Sequence, residues 1–114
     1  LKSGCFIYGV AGENVNNCES LISMNNFFKE KLINGVSIPF EVTNLDEFIE
    51  IAEYLNIIGV QLEPPLKEMA IQKFYKIDNR IEKSLFLEFF INKGVRNYRL
   101  LNSSGYSFLE KKYK

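Results

Sequence analysis

Apolar residues recur along the chain with two different periods. Residues 6–10, FIYGV, are aromatic and β-branched between glycines and predict a strand. In residues 36–42, Val36, Ile38, Phe40 and Val42 occupy every second place, again a strand period. Pro39 removes a ladder donor there and argues for an edge position or a strand end. Helical spacing governs residues 18–32, where Leu21, Ile22, Met24, Phe27, Phe28 and Leu32 share one side and Gly35 supplies a stop. A second helix is predicted from Thr43 or Asn44 as cap to about Leu55. Asp46 and Glu47 lie in its first turn, and Leu45, Phe48, Ile49, Ile51, Ala52 and Leu55 form its apolar face.

The next segment, GVQLEPP, reads as a connector, because Gly59 breaks the helical pattern and the prolines hold Glu63 and Pro64 extended. Residues 66–74 fit a short helix with Met69, Ala70 and Phe74 inward. Residues 81–92 fit a stronger one carrying Leu85, Phe86, Phe89 and Phe90 and ending at Gly94. The C-terminal stretch supports two assignments. NSSG suits a hairpin turn between YRLL and YSFL, and it equally suits a serine cap for a helix beginning after Asn102.

Size and composition narrow the classes. A chain of 114 residues fits one domain and buries about 60 to 70% of its unfolded surface. Lysines and arginines number 14 against 14 aspartates and glutamates, which gives no general attraction to nucleic acid or to an acidic membrane. Two cysteines, Cys5 and Cys18, are too few for a disulfide scaffold, so reduced thiols and a cytoplasmic or nuclear setting are expected. No apolar run is long enough to cross a bilayer. Histidine is absent, which removes the usual neutral-pH base, the commonest metal ligand and every Ser-His or Cys-His pair.

Candidate chemistry is sparse. In residues 73–90 a calcium loop counted from Asp78 would place Arg80 third, Lys83 sixth and Phe89 twelfth, where a ligand, a glycine and a bidentate glutamate are required. No metal site is expected. Asp46, Glu47, Glu50 and Glu53 read as the solvated face of their helix, and YGVAGE as a turn without the third glycine of a dinucleotide loop. The ten phenylalanines are the departure from background. Adjacent residues on a helix sit about 100° apart, so one of Phe89 and Phe90 is expected to face a second surface, where aromatic anchors serve protein interfaces.

The order of these pieces, CESLISMNNFFKEKL, then INGVSIPFEVTNLDEFIEIAEYL, a proline linker and FYKIDNRIEKSLFLEFFINKG, resembles the BTB/POZ family. The branch it is most similar to contains elongin C and the S-phase-kinase-associated adaptor of cullin-RING ubiquitin ligases. Phe74, Lys76 and Asp78 would form the lead-in to that family's cullin-docking helix. The resemblance implies an α+β domain spanning residues 1–114, a small three-stranded sheet packed on a helical cluster. It implies a non-catalytic adaptor, with no cofactor, that binds protein partners such as a cullin or a box-motif receptor through Tyr75, Glu88, Phe89 and Phe90. Self-association is compatible with it. Two alternatives remain open: a winged-helix nucleic-acid binder, with the hairpin from Tyr98 to Leu109 as wing, and an enzyme using Cys5 or Cys18.

Overall fold

A computed structural model of the chain describes residues 4–74 and 84–114. The elements alternate along the first half: β1 (Phe6–Gly12), α1 (Glu19–Glu30), β2 (Gly35–Glu41), α2 (Leu45–Ala52), β3 (Gly59–Leu62) and α3 (Leu66–Phe74). An antiparallel pair, β4 (Leu85–Asn92) and β5 (Val95–Leu101), follows, and α4 (Gly105–Lys112) closes the described part. The sheet order is β2-β1-β3-β4-β5, with β1 parallel to β2 and β3, and β4 antiparallel to both its neighbours.

Helices cover both faces. Leu45, Phe48, Ile49 and Ala52 of α2 and Leu66 and Ala70 of α3 pack on Ala11, Val60, Leu62, Leu85, Leu87 and Phe89. On the opposite face, Leu21, Met24, Phe27 and Phe28 of α1 and Leu109 of α4 pack on Tyr8, Val10 and Phe86. Strands buried on both faces lose the polar half of the alternation and read as continuous apolar runs. That is why residues 85–92, LFLEFFIN, mimic a helix by sequence and form β4 instead. The turn after it is a two-residue one, Lys93-Gly94, with φ of 51° and 77°, the left-handed pair that a tight hairpin needs.

The expected three-stranded α+β sheet on a helical cluster is therefore incorrect. The chain has five strands in a mixed, Rossmann-like α/β sheet, because GVQL is the four-residue central strand β3, with every residue buried, and the expected third helix is a strand. A groove-reading helix at residues 81–92 falls with it, and with that helix the winged-helix alternative. The expected helices α1, α2 and α3 form, although α2 ends at Ala52 and Leu32, Ile51, Leu55 and Phe74, expected to face inward, are exposed. Asn44 caps α2, its Oδ1 accepting from the Glu47 amide at 3.0 Å. At the C-terminus the helix assignment holds, Ser104 capping α4 by accepting from the Ser107 amide at 3.1 Å, and the hairpin between YRLL and YSFL does not form, because YRLL ends β5, which pairs with β4, and YSFL is in α4.

Candidate functional site

In an open parallel sheet the chain leaves β1 toward β2 on one side while β3 flanks β1 on the other. The carboxyl ends of β1 and β3 thus diverge at a crevice, the usual ligand position in such sheets. What lies there is polar. Side chains at Gln61 and Glu63 point to the α1/α4 face, because Val60 and Leu62 between them face α2 and α3.

Gln61 is 4% exposed and organises the crevice. Its Nε2 donates to Ser20 Oγ in the first turn of α1 at 2.6 Å and lies 3.4 Å from Glu63 Oε2. Its Oε1 accepts the Gly105 amide at the start of α4 at 2.8 Å. An amide N–H can only donate, so this contact fixes which end of the Gln61 amide is oxygen. One buried side chain thereby ties two helix N-termini to the central strand. Gly105 permits the approach, since a Cβ there would stand 2.4 Å from Met24 Sδ.

The two loops that wall the crevice are joined directly. Glu63 N donates to Ala11 O at 2.8 Å, and Glu13 N to Pro64 O at 2.9 Å. A Cβ on Gly12 would meet Glu63 Cβ and the Pro64 oxygen, each at 2.9 Å, so this glycine makes room for the neighbouring loop. Lys67 lies in the first turn of α3, half-buried, with its amide on Glu63 O. The N-terminus of α1 has no side-chain cap, Cys18 making no such bond. Gln61, Ser20, Glu63 and the starts of α1 and α4 thus meet at the carboxyl end of β3, with the backbones of Glu13 and Lys67 joined to the neighbouring loop.

Of these residues the sequence singled out Cys18, for its thiol, and Gly12 and Glu13 within YGVAGE, read as a turn. The signal was present in GVQL: a lone glutamine among buried apolar neighbours must find partners. Of the expected partner-binding residues, Tyr75 lies outside the described residues. Glu88 is on β4, paired with Arg99 Nε at 2.7 Å. Phe90 is half-buried on the same face, with the Arg99 guanidinium 5.0 Å above its ring. Phe89 points the other way and is 5% exposed. The structure brings Glu88 and Phe90 together and separates them from Phe89. Cys5 and Cys18 are both free thiols, and no metal-ligand cluster exists among the described residues.

No protein-family model and no curated protein matches the chain. Solved structures do. Shikimate dehydrogenase from Aquifex aeolicus superimposes with a TM-score of 0.65 at 22% identity, over 84% of this chain and 37% of that one. Shikimate dehydrogenase 1 from Peptoclostridium difficile gives 0.53 at 16% identity, over 80% and 35%. A chorismate mutase/shikimate 5-dehydrogenase fusion protein from Clostridium acetobutylicum gives 0.50 at 25% identity, over 62% and 27%. The chain spans between 27% and 37% of the length of these proteins. Its fold is one found in oxidoreductases, and this overturns both the BTB/POZ resemblance and the expected non-catalytic ubiquitin-ligase adaptor.

Proposed function

We propose that the chain is the part of a dehydrogenase-like enzyme that holds a small hydroxylated carboxylic acid, of the shikimate class, in the crevice between β1 and β3. The observation that carries this reading is Gln61, a buried amide at the switch point that joins Ser20, Glu63 and the start of α4. Glu63 is an acceptor for ligand hydroxyls, Ser20 serves as donor or acceptor, and the helix ends with Lys67 favour the carboxylate.

A nicotinamide dinucleotide, the cofactor a dehydrogenase implies, does not fit the same position. The loop after β1, GENVNNCES, has one glycine where a pyrophosphate cradle uses three, and that glycine is packed against Glu63 and Pro64. These residues account for the hydroxy-acid side of such a reaction, and no hydride step is assigned to them.

Calorimetric titration of the chain with shikimate tests the proposal. Saturable binding, weakened about tenfold by Ser20→Ala and absent for NAD and NADP, is the expected result. No saturable heat with shikimate, or tighter binding of a dinucleotide, would refute it.

A further inference from the structure

A cavity of about 570 Å³ lies on the α1/α4 side of the sheet, beyond α4 and over β4 and β5. Glu88, Arg99, Leu101, Asn102, Ser103, Phe108, Lys111 and Lys112 line it. Its size is within the range of small-molecule sites. The chain as a whole is charge-balanced, yet this lining carries three cations against one carboxylate. Arg99 is already committed to Glu88 at 2.7 Å, so the surplus rests on Lys111 and Lys112. The floor is aromatic: Phe108 stacks on Phe86 with ring centroids 4.4 Å apart, and Lys112 Nζ stands 5.8 Å from the Phe108 ring centre. Asn102 and Ser103 add hydrogen-bonding groups at the end of β5.

We propose that this groove is a second binding site, for a planar aromatic acid bearing two negative charges. The ring would lie on the part of Phe108 that Phe86 leaves uncovered, the acid groups would meet Lys111 and Lys112, and Asn102 would take a ring substituent. Two lysines without a carboxylate partner in the lining favour a dianion over a monoanion. The flat Phe108–Phe86 stack favours a flat ring over a puckered one. The site is independent of the crevice reading, although Asn102 and Ser103, which line the groove, lead directly to Gly105, whose amide donates to Gln61.

Amide NMR titration of the whole chain with benzene-1,3-dicarboxylate at low ionic strength reads this directly, with cyclohexane-1,3-dicarboxylate and benzoate as comparison probes. Saturable shifts concentrated in residues 99–103 and 108–112 are expected. The double variant Lys111→Gln/Lys112→Gln should weaken binding about tenfold or more with the amide spectrum still that of the folded chain, since both lysines are exposed. The puckered and monoanionic probes should each bind several-fold more weakly. The proposal is overturned by linear, non-saturating shifts, by shifts centred on Ser20 and Gln61, by affinity that survives the lysine replacements, or by equal affinity for the three probes.

Discussion

Single residues set the chemistry of this molecule through what they leave no room to change. Gln61→Leu would keep the volume but strand the Gly105 amide and the Ser20 hydroxyl in a water-poor crevice. A loss of about 1–3 kcal/mol in urea denaturation is expected, the cost of an unsatisfied buried donor. Tyr8 makes a different demand. Fully buried beneath α1 and α4, its hydroxyl shares a 3.0 Å hydrogen bond with that of Tyr113, and burial first, then that bond, pushes its phenol far above the usual tyrosine range. A group whose folded pKa is raised contributes stability that is complete below the unfolded value and fades as pH rises past it. From about pH 10 upward the unfolded phenol ionises while the folded one does not, and stability should fall by about 1.4 kcal/mol per pH unit from this group alone. Tyr8→Phe should lose about 1 kcal/mol at neutral pH, the hydrogen bond, and show a visibly shallower alkaline decline in denaturation midpoints.

At the scale of elements, β4 is where sequence and structure part. LFLEFFIN offers apolar residues on both sides, which a helix and a doubly covered strand explain equally well. The flanking signal separates them: Asn92 pairs with Val95 around Lys93-Gly94, a two-residue hairpin loop. The strand assignment makes opposite demands on neighbouring rings. Phe89 is core against α2 and α3, and Phe89→Ala should cost about 3–5 kcal/mol through lost burial and a cavity. Phe90 is half-buried with Arg99 above it, and Phe90→Ala should cost about 1–2 kcal/mol. Comparable losses in thermal or chemical melts would mean that the two rings do not face opposite layers. The elements with one covered face or a clear cap were legible, α1 through its spacing from Leu21 to Phe28 and α2 through Asn44, whereas NSSG left α4 undecided between a serine cap and a hairpin turn. The central strand β3 was not, because GVQL is only four residues long and runs straight into two prolines.

On the scale of the whole molecule, the crevice exists because of strand order, which no local pattern encodes. Parallel pairing of β1 with both β2 and β3 brings residues about fifty positions apart, Glu13 and Glu63, to one rim, and the return of the chain through β5 sets Gly105 against Gln61. The charged and amide residues involved are unremarkable in sequence and acquire a role only through that topology. Binding of a hydroxylated acid at this rim is read residue by residue by amide NMR shifts of the whole chain during titration with shikimate. Saturable shifts clustered at Glu13, Ser20, Gln61, Glu63, Lys67 and Gly105 are expected. Saturation with shifts clustered elsewhere, or no shifts at millimolar shikimate, would contradict it.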